Sequence, residues 1–133
     1  MLNKLLFAFM GLMAVGAYSE TSNWYTDTAR AFKVADSLKK PILLYFKGSC
    51  AMCNKLEQES FQRLAVMQNL AKYVCVRLDE GRYPSLYKEF NIETVPVVIL
   101  SDGRGGTVKK MVGFIEPQTL QKKLELFYIK RND

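Results

Sequence analysis

The sequence contains no histidine. That single absence removes nucleophile pairs built on an imidazole, Ser–His and Cys–His alike. It also removes zinc sites that combine cysteine with histidine. Chemistry here has to come from cysteine, lysine, tyrosine, carboxylates or backbone. Glycine (8), proline (4) and tryptophan (1) are sparse among the 133 residues. There is no low-complexity tract and no internal repeat, and the one glycine-dense stretch is Asp102-Gly103-Arg104-Gly105-Gly106. Acidic residues are outnumbered, 13 against 19 basic ones, for a net charge of +6. The two signs are interleaved rather than blocked, which reads as a soluble basic surface and not a nucleic-acid interface. An affinity for acidic partners or an anionic membrane face stays open. The length fits one domain.

What is present begins with an address. Met1 to Ala17 reads as a signal peptide: Lys4 gives a positive start, Leu5 to Val15 an apolar stretch, and Val15-Gly16-Ala17 a small-residue cleavage site. The stretch falls short of the about 20 apolar residues that suit a membrane span. An uncleaved N-terminal anchor is the alternative. No cysteine follows the cleavage site, so no lipid attachment is indicated. Cleavage leaves an exported, periplasmic or secreted chain with no stable span. Outside the cytosol a close cysteine pair can persist as a disulfide.

After a short polar lead (18–23), the domain is expected over 24–130. Trp24, Thr28, Ala31, Phe32, Ala35 and Leu38 recur at helical spacing. Thr26 or Asp27 can cap that helix, and Pro41 stops it. Ile42-Leu43-Leu44-Tyr45-Phe46 is a continuous apolar run suited to a strand buried on both faces. A helix is expected at or just after Cys50, carrying Cys53, Leu56 and Glu57, with a break near Ser60-Phe61 and a second piece over Leu64 to Leu70. Tyr73 to Leu78 reads as a strand. Pro84 opens a short helix through Leu86 and Phe90. Val95 to Leu100 is a strand with proline at its start, and Val108 to Val112 returns as its hairpin partner. Gly113 ends the hairpin. Pro117 opens a last helix with Leu120, Leu124 and Phe127 on one face. The expected class is α/β: a central mixed sheet flanked by helices on both faces.

Cys50 and Cys53 stand as C-x-x-C at a strand-to-helix junction. The first cysteine meets unpaired backbone N–H groups and the positive helix end, which stabilise a thiolate. The second lies one turn inside, within disulfide reach. Such a pair can attack a partner disulfide, form a mixed disulfide and resolve it, with Cys50 as nucleophile and Cys53 as resolving thiol. Half of a zinc site has the same spacing, but no second pair exists to complete four ligands. A purely structural disulfide closing so short a loop constrains the unfolded chain little. Met52 is a conceivable soft ligand for Cu(I), though a packing or solvent-facing methionine is the plainer account. No metal and no cofactor is expected. Cys75, alone in an apolar strand, reads as a small buried hydrophobe.

Lys40 to Phe46 running straight into Cys50-Ala51-Met52-Cys53, then Val76-Arg77-Leu78-Asp79, Thr94-Val95-Pro96-Val97-Val98 and Gly113 together resemble the thioredoxin superfamily, more closely its exported branch. Trp24-Tyr25-Thr26-Asp27 ahead of a long helix is similar as well. The resemblance covers roughly Trp24 to Tyr128. It implies a thioredoxin-like fold, thiol–disulfide exchange with protein thiols or disulfides, a cis Pro96 facing the cysteines, and Val95 offering its backbone to an extended client segment.

The chain departs from that pattern at Ser49, where the family usually has tryptophan. It also lacks an acid in Ile42 to Phe46, where Leu44 or Tyr45 stands instead, and carries the dipeptide Ala51-Met52. These departures bear on direction and rate rather than fold. With no histidine between the cysteines, reductase or isomerase duty is favoured over bulk oxidation. Reduction outside the cytosol requires electrons from elsewhere, such as a membrane-embedded redox partner. Lys47 or Arg77 could favour the Cys50 thiolate if close, and Glu57 could accept a proton. The rival reading is a redox-inactive binding or chaperone module on the same scaffold.

Overall fold

The computed structural model describes residues 24–103 and 108–131. The segments read as signal peptide (1–17) and polar lead (18–23) lie outside the described residues, as do 104–107 of the glycine-rich turn.

Helix α1 spans Thr28–Leu38; Asp27 is its N-cap, with its carboxylate accepting the Arg30 N–H at 3.3 Å. Trp24, counted in the helical spacing, precedes it, as does Tyr25. Tyr25 instead runs parallel to a strand edge: its N–H donates to Cys75 O and its carbonyl accepts from Arg77 N–H, both at 2.8 Å. Those two bonds cover polar groups that a sheet edge would leave open. Ala31 and Ala35 are buried, but Phe32 and Leu38 are 40% and 56% exposed, so the buried stripe of α1 is narrower than its apolar pattern. Lys39 closes the helix in the left-handed region (φ 57°).

Strand β1 is Ile42–Lys47, β2 Val74–Asp79, β3 Val97–Ser101 and β4 Val108–Val112, in the order β2-β1-β3-β4. The β1–β2 pair is parallel, Tyr45 opposite Arg77; β1–β3 and β3–β4 are antiparallel. A parallel pair demands a crossover. Here it is made by α2 (Ala51–Lys55), a π-helical turn (Leu56–Phe61) and α3 (Leu64–Leu70). The break expected at Ser60-Phe61 falls just after that turn. Helix α4 (Pro84–Glu89) crosses to β3, and α5 (Pro117–Arg131) returns after the hairpin.

Alternation along the strands divides the core in two. Leu43, Tyr45, Cys75, Val98 and Leu100 face Leu56, Phe61, Val66, Leu70, Leu120, Leu124 and Phe127. Ile42, Leu44, Phe46, Val76, Leu78, Val97 and Ile99 face Ala31 and Ala35, with Leu86, Tyr87 and Phe90 packed against them. β1 is therefore buried on both faces, which is why it reads as an unbroken apolar run; each such side chain contributes about 1.5–3 kcal/mol through burial. Among the described residues no helix is long and apolar enough to cross a membrane.

Candidate active site

β1 delivers the chain through Lys47-Gly48-Ser49 to Cys50, which is the N-cap of α2 in extended conformation (φ −115°, ψ 150°). Its sulfur accepts the Cys53 N–H at 3.0 Å, one of the donors that a helix start leaves unpaired. Cys50 and Cys53 form a disulfide, with 5.1 Å between their Cα atoms. Cys50 is half-buried and Cys53 sealed from solvent. Only the first sulfur is therefore presented to a partner.

The loop before β3 closes the other side. The Val95–Pro96 peptide bond is cis, and the Val95 carbonyl oxygen lies 3.8 Å from Cys50 Sγ. The Pro96 carbonyl accepts the Gly113 N–H at 2.8 Å, which ties the end of β4 to the same loop. Gly113 has φ 87°, a conformation that side chains disfavour, and a Cβ there would stand 3.9 Å from Met52 Sδ. Met52 is 49% exposed. The structure thus gathers Cys50, Cys53, Val95 and Pro96, the residues singled out in the sequence.

Behind the pair lies a polar cluster that the sequence only hinted at. The Tyr45 hydroxyl, rising from β1, sits 2.9 Å from Glu57 Oε2 and 3.3 Å from the Cys53 carbonyl oxygen. One O–H has one proton, so the shorter contact to Glu57 takes most of it. Lys47 Nζ reaches the same Glu57 oxygen at 2.9 Å. Burial, followed by the Glu57 hydrogen bond and charge, drives the Tyr45 phenol far above its ordinary pKa, so it acts as a neutral donor. Arg77, opposite Tyr45 in the β1–β2 register, opposes that shift with its charge. Lys47 is thereby engaged by Glu57, and Glu57 is held from two sides. The signal was on the page: Tyr45 and Lys47 share a strand face, and Glu57 follows Cys53 by four residues.

On the open side of Cys50 a polar recess is lined by Lys47, Gly48, Ser49, Asn54, Asp79 and Glu80. A Cβ at Gly48 would come within 2.8 Å of Glu80 Cδ and 3.3 Å of Val95 Cγ2. Glu80 is held there by its own N–H, which donates to the Lys47 carbonyl at 2.9 Å. Neither Glu80 nor Gly48 stood out in the sequence, since the contact joins two separate loops. Cys75 stands apart: it is buried in β2 with its sulfur 3.6 Å from Leu70 O, and burial pushes its thiol up to about 12. Among the described residues no cluster of three potential metal ligands exists.

A thioredoxin-like domain family matches residues 28–128. The chain belongs to that family. Its two cysteines, joined at the start of a helix, equip it for thiol–disulfide exchange. A thiol:disulfide interchange protein DsbD from Actinobacillus pleuropneumoniae is 30% identical over 84 residues, covering 59% of this chain and 14% of the relative, so the chain spans about one-seventh of that protein. Among solved structures, a thioredoxin from Thermus thermophilus superposes with a TM-score of 0.72 at 16% identity, over 81% of this chain and 88% of the other. The DsbD C-terminal domain of Neisseria meningitidis in the reduced form gives 0.64 at 18% identity, over 77% and 97%. A disulphide isomerase from Xylella fastidiosa gives 0.61 at 20% identity, over 86% and 98%. At these identities the structural likeness establishes the fold, and the fold is thioredoxin-like.

Proposed function

We propose that this protein is an exported thiol–disulfide oxidoreductase that acts on protein clients through Cys50 and Cys53, in the reducing or isomerising direction. The observation that carries the reading is the asymmetry of the pair: a presented Cys50 capping α2 and a sealed Cys53 bonded to it. The interchange activity named for the relative from Actinobacillus pleuropneumoniae supports it. Export rests on Lys4 and the apolar stretch that follows.

In the reducing direction the Cys50 thiolate attacks one sulfur of a client disulfide. That bond breaks, the other client sulfur leaves as a thiolate and takes a proton, and a Cys50–client mixed disulfide forms. Cys53, deprotonated, then attacks Cys50 Sγ, which restores the Cys50–Cys53 disulfide and releases the reduced client. Two electrons pass from the protein dithiol to the client, and a dithiol reductant of the exported compartment, at the membrane or in solution, restores the pair. Glu57, one turn beyond Cys53 and fixed by Lys47 and Tyr45, is the assigned acceptor of the Cys53 proton. Val95 offers its backbone to an extended client segment, with Pro96 shaping the loop that presents it.

The test is trapping. Cys53→Ser leaves Cys50 able to attack but removes the thiol that releases the client, so mixed disulfides accumulate on non-reducing gels of the exported fraction. Cys50→Ser traps far less, and both variants lose insulin-disulfide reduction. Equal trapping by the two variants overturns the exchange mechanism and leaves a binding module as the better account.

A further inference from the structure

The entrance to Cys50 has two unlike sides. Met52 and Gly113 form the apolar side, with Met52 Sδ facing Gly113; next to them Lys55 Nζ lies 4.3 Å above the Phe114 ring. The polar side is the recess lined by Asp79 and Glu80. Its one cation, Lys47, spends its ammonium on Glu57. The side chains of Asp79 and Glu80 have no hydrogen bond and no ion pair among the described residues. The Gly48 backbone leaves room for the Glu80 carboxylate, which stands in contact range of the same point as the Val95 methyl group. Both stand near Tyr87, whose phenol is pushed up to about 12 by burial and then by Glu80 and Asp79. A chain with a net charge of +6 thus sets two carboxylates without a salt bridge in the recess beside Gly48, with Glu80 near Val95.

We propose that Glu80, seconded by Asp79, sets the client specificity of this site: it selects protein disulfides whose reactive cysteine has a lysine or arginine next to it on one side and an apolar residue on the other. The inference rests on the exchange reading above and goes beyond it by naming the substrate class. A client segment laid along Val95 runs from the Glu80 side to the Met52 and Gly113 side, so one neighbour of its cysteine meets a carboxylate and the other meets hydrocarbon. Opposite charges at this range favour encounter and docking, and a like charge is turned away.

The full chain, reduced, is mixed with short peptides whose cysteine is disulfide-bonded to thionitrobenzoate. The flanking residue is lysine, glutamine or glutamate, and release of the coloured thiolate is followed. At low salt the lysine peptide reacts about 3- to 10-fold faster than the glutamate peptide, the scale of partly exposed charge pairs. The ratio shrinks as ionic strength rises and screening shortens. Glu80→Gln brings the ratio toward one and Glu80→Lys inverts it. Each rate is divided by that of the glutamine peptide in the same variant, so a change in the Cys50 thiol itself cancels from the ratio. Glu89→Lys, which makes the same charge change on the exposed end of α4, leaves the ratio unmoved. An unchanged ratio in Glu80→Lys, or a shift of the same size in Glu89→Lys, overturns the proposal while the exchange reading stands. If even the glutamine peptide fails to react with the unsubstituted chain, the exchange reading falls and takes this one with it.

Discussion

The two faces of the sheet are held by different kinds of contact. On the face covered by α1 and α4, Leu44, Val76, Leu78 and Ile99 lie under Ala31 and Ala35, with the Phe46 ring edge-on to Tyr87 at 5.0 Å, and the hydroxyls of Tyr83 and Tyr87 donate only to backbone carbonyls, Tyr87 to Leu78 at 2.8 Å. The face that carries the cysteines has the same hydrocarbon base, and there one hydroxyl also reaches a side-chain carboxylate. Ser60 donates to the Ile115 carbonyl, Tyr73 donates to the Leu124 carbonyl at 2.7 Å, and Tyr45 reaches Glu57 and Cys53. Hydrophobic burial has no direction, and hydrogen bonds do fix orientation. Bonds from hydroxyl to backbone anchor α4 on one face, and the Tyr45–Glu57 and Lys47–Glu57 contacts anchor the helical segment that follows the cysteine pair on the other.

Substitutions on the two faces separate stability from function. The largest stability loss is expected on the hydrocarbon face: Leu44→Ala leaves a cavity and lowers the unfolding free energy by about 2–5 kcal/mol, with exchange rates per folded molecule close to unchanged. Urea unfolding and an exchange assay on the same samples check both halves. Ser60→Ala comes next, at about 1–3 kcal/mol, because it strands the buried Ile115 carbonyl; denaturation followed by circular dichroism reads it. Tyr45→Phe costs only about 1 kcal/mol yet slows the release of trapped clients, since Glu57 loses one of its two anchors. Its signature is a shifted pH profile for mixed-disulfide resolution, which a purely structural role would not produce. Equal slowing by Leu44→Ala and Tyr45→Phe, measured per folded molecule, breaks the comparison.

The smallest effect is silent near neutral pH. Burial raises the Cys75 thiol from 9.0 to about 12, with Lys40 pulling weakly the other way, and raises Tyr87 from 10.0 to about 12. Below pH 9 both groups are neutral whether the chain is folded or not. Between about 9 and 12 the unfolded chain gives up these protons and the folded chain does not, so stability falls as pH rises through that window. Thermal unfolding at pH 8, 9 and 10 should give melting temperatures that drop only above 9. Cys75→Val should reduce that drop.

Much of this was legible in the sequence, for identifiable reasons. β1 announced itself because a strand buried on both faces has no polar position, and α5 because Leu120, Leu124 and Phe127 keep helical spacing. Asp27 was a readable cap. Trp24 was misread as helical, because its spacing to Thr28 and Ala31 mimics a helix while tertiary pairing of Tyr25 with β2 takes precedence. Phe32 and Leu38 looked like core and are exposed, since only the two alanines fit against the sheet. Cys50, Cys53, Val95 and Pro96 lie side by side: the cysteine spacing is local, and the Val95–Pro96 loop reaches them only through the fold. Glu80 escaped notice: its approach to Gly48 depends on how the β2–α4 turn lies over the loop before Cys50, which no local pattern encodes.

The tryptophan just mentioned is the only one in the chain. Its ring stacks at an angle on Phe61 and on Tyr45, with centroids 5.2 and 5.9 Å away, and the Tyr45 hydroxyl touches the carbonyl of Cys53. A single indole therefore stands one aromatic ring away from the Cys53 backbone. Opening the disulfide is expected to change the surroundings of Tyr45 and, through it, the emission of Trp24, which a dithiothreitol titration followed by fluorescence excited at the indole checks. A matching shift makes Trp24 an optical gauge of redox state that needs no label.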